Sequence, residues 1–247
     1  MMEFKKKTMN YNARILSPFY KLLSMKLERG DFVCDKIKDG TIGNKLVEII
    51  APQIFFDMSK AENIIKFDCR SSPENYIKKE SEWYNSHELK IDKVSDVKIW
   101  KECADSTGQI NSNYGNLVYS KSNFNQFEHV VKTLKDFKYS RQAIIIYNRP
   151  SIHLEHNDLG GRDFICTNYQ QFFIRDDKLV CVTSMRSNDC IFGTFNDIPW
   201  FFDVYNNMYN RLKETYPELE KGDFIFIPNS WHCYEAHFDI LKKIAAE

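Results

Sequence analysis

The stretch DFICTNYQQFFIRDDKLVCVTSMRSND, residues 163–189, sets the fold class of this chain. Residues 169–175 and 178–185 are rich in β-branched and aromatic side chains, and they flank Asp176-Asp177, a pair typical of turns. The pattern predicts a β-hairpin. A polar segment precedes the first strand and a charged segment follows the second, so both strand ends carry candidate functional side chains.

The other predicted elements mix strands and helices without regular alternation. Strands are predicted at residues 46–56, 143–147 and 224–227. Helices are predicted at residues 10–27 with a break at Pro18, 72–86 with Ser72 as N-cap, 124–137, and 199–215 with Pro199 at the start. Pro52 indicates a bulge or an edge within its strand. This mixture favours an α+β fold over a doubly wound one.

Length and composition limit the class of protein. The 247 residues are 43% hydrophobic and 15% aromatic, enough to bury a large core, and we expect one domain over residues 1–247. The 34 basic and 34 acidic side chains balance. No overall field therefore favours direct nucleic-acid binding, although a local arginine cluster can still bind a free nucleotide.

Targeting and cysteine patterns predict a cytoplasmic protein. No segment approaches the ~20 apolar residues of a membrane span, and the N-terminus lacks the pattern of a signal peptide. Seven cysteines, an odd number without a CxxC pair, indicate free thiols in a reducing compartment. His232-Cys233 is the only adjacent His/Cys pair, so no metal site is predicted.

Two reactive side chains break the local pattern. Glu80 falls on the helix face that Ile77, Trp83 and Tyr84 mark as buried, and it is either a partly dry general acid/base or a carboxylate that reaches solvent at the edge of the face. Cys166 lies where a loop enters a strand, and it is either an exposed reactive thiol or a buried structural one.

Two polar clusters are further candidates. Residues 185–189, MRSND, can hold a phosphate through a bidentate arginine and a hydroxyl, or can be a solvated strand end. His232 and Tyr234 lie two residues apart and face the same way in a strand. They form either a binding pair or a hydrogen-bonded core pair.

Six blocks together resemble a known family. They are ESEWY (80–84), IWKECADSTGQINSNYG (99–115), SRQAIIIYNRPS (140–151), CTNYQQFFI (166–174), MRSNDCIFGTFND (185–197) and HCYEAHF (232–238). In this order and spacing they resemble the thymidylate synthase superfamily over about two thirds of the chain. NSNYG, YNRPS, DFICTN and MRSND resemble its deoxycytidylate hydroxymethylase branch, which is typically phage-encoded.

The resemblance implies a fold, an assembly and substrates. The family fold is α+β, with a large twisted sheet packed against helices and the sheets back to back in a homodimer with shared active sites. The implied co-substrate is 5,10-methylenetetrahydrofolate, and the implied substrate is a pyrimidine nucleoside monophosphate. The implied setting is the cytoplasm of a phage-infected bacterium.

The resemblance also implies catalytic and folate-binding roles. Cys166 would be the nucleophile, Glu80 the acid/base that organises water, and Tyr114 a proton-relay residue. Trp100 and Asp189 would lie at the folate.

Five further residues are implied to bind the nucleotide. Arg186 and Ser187 would hold the phosphate, and Arg141 would reach it from the partner subunit. Both arginines are expected to lower the pKa of the nucleophilic thiol. His232 and Tyr234 would bind the deoxyribose 3′-hydroxyl.

The chain departs from the family pattern beside Arg141. The synthase has two successive arginines where this chain has Arg141-Gln142, so one phosphate contact is in question, and Arg149 is a possible replacement. Lys36 is the candidate for a phosphate contact from the N-terminal part.

Asp197 sets the expected substrate. It stands eleven residues after Arg186, where the synthase has an asparagine that can satisfy uracil. A carboxylate accepts a hydrogen bond from the N4 amino group of cytosine and repels O4 of uracil, which predicts deoxycytidylate. A shift of one residue would put Asn196 there instead and favour a uridylate enzyme, either thymidylate synthase or deoxyuridylate hydroxymethylase.

The implied chemistry is covalent catalysis. A thiolate added at C6 makes C5 of the pyrimidine nucleophilic, so that it can take a one-carbon unit. Hydride then gives a methyl group and water gives a hydroxymethyl group, and Glu80 with ordered water favours the second outcome. A Cys166–His232 hydrolase and a non-catalytic nucleotide-binding protein are the alternatives from other classes.

Overall fold

The structure is a computed structural model that describes residues 9–36, 42–159 and 161–247. The helices within those ranges are α1 (Tyr11–Arg29), α2 (Glu74–Ser86), α3 (Lys98–Cys103), α4 (Tyr114–Tyr119), α5 (Gln126–Asp136), α6 (Ile152–Asn157), α7 (Gly193–Lys213) and α8 (Phe238–Ala245). The strands are β1 (Val33–Lys36), β2 (Ile42–Ile50), β3 (Ile54–Asp57), β4 (Ile144–Ile146), β5 (Thr167–Arg175), β6 (Lys178–Met185), β7 (Asn188–Asp189), β8 (Glu220–Pro228) and β9 (Ser230–Tyr234). This mixture confirms the α+β class.

The strands form two sheets. The five-stranded sheet has the order β3-β8-β6-β5-β4, and the four-stranded sheet has the order β1-β2-β9-β7. The predicted hairpin is confirmed, because β5 and β6 pair antiparallel from Thr167↔Met185 to Arg175↔Lys178. Asp176 and Asp177 turn it with positive φ angles of 48° and 55°, the mirror-image turn that matches strand twist.

The predicted single strand at 46–56 is wrong, because the chain changes sheets there. β2 belongs to the four-stranded sheet and β3 is the edge of the five-stranded one. Ala51 takes a left-handed φ of 47°, and Pro52 has no N–H with which to continue a ladder. The chain changes sheets again between β8 and β9, where Asn229 accepts a hydrogen bond from the Ala51 N–H at 2.9 Å.

Both proline-based helix boundaries are wrong. α1 runs through Pro18 without ending, and α7 begins at Gly193, six residues before Pro199. Apolar side chains on both sides of each proline are fully buried, among them Tyr20 and Phe201. That packing outweighs the one backbone hydrogen bond that a proline removes.

Two other helix ends differ from the prediction. α5 is two residues shorter at its start and one at its end, and Phe124 and Phe137 are 81% and 73% exposed rather than on its buried face. Ser72 does not cap α2. Its hydroxyl instead accepts from the Ile65 N–H at 2.8 Å.

The hairpin brings the candidate groups to one edge of the five-stranded sheet. Cys166 precedes β5 directly and Arg186 follows β6 directly. Because the strands are antiparallel, these residues are neighbours, and the Arg186 N–H donates to the Cys166 carbonyl at 2.8 Å. β7, which pairs in the four-stranded sheet, and the start of α7 follow Arg186 within a few residues of the chain.

Candidate active site

Glu80 is a buried carboxyl group in a hydrogen-bonded chain. It is 5% exposed, so the alternative of a solvent-reaching carboxylate is wrong. Tyr76 donates to its Oε1 at 2.6 Å, and Trp100 Nε1 donates to the Tyr76 hydroxyl at 3.0 Å. Burial raises the pKa of Glu80 to about 8, while the Tyr76 bond lowers that pKa and the charge of Asp197 raises it. A carboxyl group that exchanges its proton near neutral pH suits general acid–base chemistry.

Cys166 and Arg186 form the polar end of the hairpin. Arg186 Nη2 lies 3.5 Å from Cys166 Sγ and donates to the Phe164 carbonyl at 2.6 Å. Arg186 Nε donates to the Ile165 carbonyl at 3.1 Å. These bonds fix the guanidinium beside the half-buried thiol, and the half-buried Ser187 follows it in the chain.

Burial opposes ionisation of the thiol in the single chain. Burial raises the pKa of Cys166 to about 11, the charge of Arg186 lowers that pKa, and Asp197 and Asp163 raise it. Arg186 therefore acts on this pKa in the expected direction, but burial outweighs one arginine in the single chain. The hydrolase alternative lacks its catalytic pair, since among the described side chains His232 makes no hydrogen bond to Cys166 and its Nδ1 lies beside Ser230.

Tyr114 lies beside the residue that follows the thiol. It begins α4, is buried, and accepts from Thr167 Oγ1 at 2.9 Å. Burial raises its pKa well above the usual value, and the charges of Asp197 and Cys166 raise it further. Its ring stacks on Tyr84 at 5.3 Å. α4 approaches α2 this closely because Gly115 has no side chain. A Cβ at that position would lie 1.9 Å from the Tyr84 carbonyl oxygen.

Asp197 faces the same space as the thiol and the buried glutamate. It is half-buried in the second turn of α7, and its Oδ2 accepts from Asn188 Nδ2 at 2.8 Å. Burial raises its pKa to about 7, the Asn188 bond lowers that pKa, and Asp189 raises it. The charge of Asp197 raises the pKa of Glu80 as well as that of Cys166.

One predicted folate residue, Asp189, and one predicted sugar residue, His232, lie opposite each other on paired strands. Asp189 of β7 lies opposite His232 of β9, and His232 packs edge-on against the Tyr234 ring at 4.8 Å. Asp189 Oδ1 accepts the N–H groups of residues 191 and 192 at 2.6 and 3.2 Å. His232 is 4% exposed, a burial that suits either a sugar contact or a core pair, so its role stays a prediction.

The residues predicted for the folate offer suitable chemistry. The half-buried Trp100 packs on Trp83 at a ring distance of 5.1 Å. Asp189 Oδ2 has no hydrogen bond among the described residues, in contrast to Oδ1. An aromatic surface and an open acceptor oxygen fit a flat heterocycle with N–H donors, such as a reduced folate.

Three predicted phosphate contacts are not brought to Arg186 within the described chain. Arg141 is exposed just before β4. Arg149 is engaged elsewhere, because it forms an ion pair with Glu155 at 2.5 Å and donates to Asn111 at 2.8 Å. The side chain of Lys36 lies outside the described part of the structure.

Two hydrogen-bond partners in the site were missed from sequence. Tyr76 stands four residues before Glu80 on one helix, and this spacing places side chains together, so periodicity could have identified it. Asn188 was part of the MRSND cluster, but nothing in the sequence linked it with Asp197, nine residues on.

Asp163 is a third residue that sequence reasoning left without a role. It is buried, accepts the backbone N–H groups of residues 111 and 112 at 2.8 and 2.6 Å, and accepts from Ser112 Oγ at 2.8 Å. Burial raises its pKa, and the charge of Arg186 lowers it. It ties the loop before α4 to the segment that leads into Cys166.

Other parts of the described chain add no second cluster of this kind. A cleft of about 680 Å³ lies at the turn end of the hairpin, with Arg175, Lys178 and Asp223 in its lining. Within the described residues, no three His, Cys, Asp or Glu side chains are grouped to hold a metal. None of the described helices is both long and apolar enough to cross a membrane.

Comparison with known proteins identifies the family. The sequence model of the thymidylate synthase family matches residues 18–246. The deoxycytidylate 5-hydroxymethyltransferases of Enterobacteria phages T6 and T4 are each 36% identical over 220 residues, which cover 87% of this chain and 85% of each relative. A thymidylate synthase of Vesicomyosocius okutanii subsp. Calyptogena okutanii is 26% identical over 217 residues, or 85% of this chain and 75% of that protein. The chain belongs to the thymidylate synthase family.

Proposed function

We propose that this chain transfers the one-carbon unit of 5,10-methylenetetrahydrofolate to C5 of dCMP, and that water completes 5-hydroxymethyl-dCMP and releases tetrahydrofolate. The relatives named deoxycytidylate 5-hydroxymethyltransferase support this activity. The observation that carries the substrate choice is the carboxyl group of Asp197, which acts electrostatically on both Cys166 and Glu80.

Cys166 is the proposed nucleophile. Its Sγ bonds to C6 of the pyrimidine as the thiol proton leaves to water, and the electron pair of the C5–C6 double bond moves toward C5 and the ring. Arg186, 3.5 Å from Sγ, favours the thiolate. A second arginine, Arg141 of the partner subunit, would add to this effect when the phosphate site is complete. The folate supplies the methylene carbon that C5 attacks.

Glu80 and Tyr114 handle protons in this proposal. The C5 proton leaves through Tyr114 and ordered water, and the folate amine departs with a proton and its electron pair. Water then adds to the exocyclic carbon, and the C6–S bond breaks to restore the ring. Glu80, whose pKa burial raises to about 8, is mostly protonated at neutral pH, and its ionised fraction takes a proton from that water.

Asp197 reads the base edge. One of its oxygens is occupied by Asn188 at 2.8 Å, and the other can accept from the N4 amino group of cytosine. O4 of uracil would face that acceptor with another acceptor. Sites that read hydrogen bonds in this way can discriminate by roughly 10⁴-fold.

A homodimer is proposed from an apolar sheet face that the chain leaves uncovered. Phe55 of β3 and Ile146 of β4 are 47% and 53% exposed at the two edges of the five-stranded sheet. The strands between them present half-buried apolar side chains on the same face, at 173, 180, 182, 225 and 227. Such a face is typical of an interface, and sheets packed back to back there would form the shared sites.

The experiment is product analysis with both nucleotides. The protein is incubated with methylenetetrahydrofolate and either dCMP or dUMP, and the nucleotide and folate products are identified by mass spectrometry. We expect 5-hydroxymethyl-dCMP together with tetrahydrofolate. Dihydrofolate formed in step with product would instead show hydride transfer and a methylating enzyme.

Asp197→Asn tests the substrate assignment, with Asn196→Ala as its matched control. Losing one hydrogen bond to a charged group costs roughly 1.5–3 kcal/mol, so kcat/KM for dCMP should fall at least about tenfold while activity on dUMP rises. The control should keep the preference for dCMP. If only the Asn196 variant changes the preference, the base is read one residue earlier and the uridylate alternative leads.

A further inference from the structure

A chain of hydrogen bonds with one direction ends on Asp197. Trp231 Nε1 donates to Thr194 Oγ1 at 2.8 Å. Thr194 Oγ1 donates to Asn188 Oδ1 at 2.5 Å, and Asn188 Nδ2 donates to Asp197 Oδ2 at 2.8 Å. We propose that Trp231, Thr194 and Asn188 are positioning residues that hold Asp197 as an acceptor toward the base and so set the preference for cytosine. This inference rests on the proposed role of Asp197.

The direction of the chain follows from the indole. An indole N–H can only donate, so the Thr194 oxygen accepts from Trp231 and uses its single proton toward Asn188. The amide oxygen of Asn188 must then face Thr194, and its NH₂ group faces Asp197. The indole N–H thus fixes the orientation of the Asn188 side-chain amide. Without this donor, the amide oxygen and nitrogen of Asn188 could exchange places.

The hydrogen-bonded chain Trp231–Thr194–Asn188, here called the relay, is buried, and its bonds are therefore difficult to replace. Trp231 and Thr194 are 0% exposed and Asn188 is 2% exposed. A buried partner that is lost leaves an unsatisfied polar group, because solvent cannot substitute for it. The three side chains come from β9, α7 and β7, so the relay joins the four-stranded sheet to the helix that carries Asp197.

The groups that face Asp197 make its Asn188 donor important. They are Tyr76, Glu80 and Tyr84 of α2, Tyr114 of α4, Cys166, and Asp189 of β7. All of them are neutral or anionic. Burial raises the pKa of Asp197 and Asp189 adds to this, whereas the Asn188 bond lowers it. Removing the donor should therefore favour a protonated Asp197, which can donate to O4 of uracil.

Gly193 leaves the space in which Asn188 and Asp197 meet. A Cβ there would lie 3.0 Å from Asn188 Nδ2 and 3.4 Å from Asp197 Oδ2. The first distance is closer than a methyl group comfortably tolerates. Gly193→Ala therefore disturbs the same hydrogen bond from outside the relay.

The test compares Thr194→Val with Thr194→Ser in the full-length protein. Valine keeps the shape and removes the hydroxyl, whereas serine keeps the hydroxyl. Affinities for dCMP and dUMP are measured by calorimetry from pH 5 to pH 9, and their ratio is plotted so that the shared phosphate cancels. kcat/KM for dCMP is measured in parallel, and Asn188→Ala and Gly193→Ala provide second and third routes if Thr194→Val folds poorly.

We expect the dCMP/dUMP ratio of the wild type to change with a midpoint near pH 7, from the pKa of Asp197. Thr194→Val should move that midpoint up by about one unit and lower kcat/KM for dCMP about tenfold, and Thr194→Ser should restore both. Folded Thr194→Val, Asn188→Ala and Gly193→Ala proteins with the wild-type midpoint and ratio would overturn the relay alone. A wild type that does not discriminate the two nucleotides would overturn the role of Asp197 and the relay with it.

Discussion

Replacing Glu80 with glutamine should make the free protein more stable at neutral pH and remove its activity. Glu80 is 5% exposed, and burial raises its pKa to about 8 from the 4.5 of an exposed glutamate. At pH values between these two pKa values, the folded protein holds a proton that the unfolded chain has lost. The free energy of unfolding therefore falls as the pH rises. Glutamine has no proton to hold, and its side-chain oxygen can still accept from Tyr76.

The magnitude follows from the two pKa values. One pH unit corresponds to about 1.4 kcal/mol, so at pH 7 the protonated Glu80 costs about 3 kcal/mol relative to a neutral isostere. At pH 4.5 the folded and unfolded states hold nearly the same number of protons, and the difference is under about 0.5 kcal/mol. The variant should therefore gain up to about 3 kcal/mol at pH 7 and almost nothing at pH 4.5.

Urea unfolding of both proteins at the two pH values measures this gain. Glu82→Gln is the matched control, because Glu82 is exposed on the same helix, and it should change neither stability nor turnover appreciably. Turnover of dCMP by Glu80→Gln should be lost, as expected where stability and activity compete for one residue. An equal gain at both pH values, or no gain at pH 7, would refute the assignment of a protonated, buried carboxyl group.

Three further predictions concern the thiol, the shared site and the tyrosine. Cys166→Ala should abolish turnover and keep dCMP affinity within about tenfold by calorimetry, since only the thiolate activates C5; substantial turnover would exclude covalent catalysis. Mixing inactive Arg141→Ala and Cys166→Ala chains should restore activity in heterodimers, and no recovery after confirmed subunit exchange would place Arg141 outside a shared site. Tyr76→Phe should move the Glu80 limb of the kcat/KM pH profile up by about one to two pH units, because the hydrogen bond that is lost lowers the pKa of Glu80. If the limb does not move, it does not report the ionisation of Glu80.

Local patterns were sufficient where neighbours in sequence are neighbours in space. The β5–β6 hairpin followed from two apolar runs around a turn, and helical spacing placed Glu80 on the buried face of its helix without deciding whether its carboxylate reached solvent. Tyr76 belonged to the same class of information, because it lies one helical turn away.

Long-range packing explains the features that the sequence did not show. The break between β2 and β3 depends on Ala51 meeting Asn229, about 180 residues away. Pro18 and Pro199 remain inside helices because tertiary burial outweighs local propensity. The net pKa of the thiol likewise depends on how deeply the assembled sheet and helices bury it.

The backbone bond between Arg186 and Cys166 has a consequence for the length of ligand that the site accepts. Cross-strand neighbours keep their Cα atoms roughly 4.5–5.5 Å apart. Arg186 and Cys166 are joined in this way, because the Arg186 backbone N–H donates to the Cys166 carbonyl oxygen at 2.8 Å. If Arg186 holds the phosphate and Cys166 bonds to C6, as proposed, the two strand ends would fix the distance between the two ends of one bound nucleotide. In the proposed function, a nucleoside would lack the group that Arg186 binds and a diphosphate would extend past it, so we expect the register of this hairpin to favour a monophosphate.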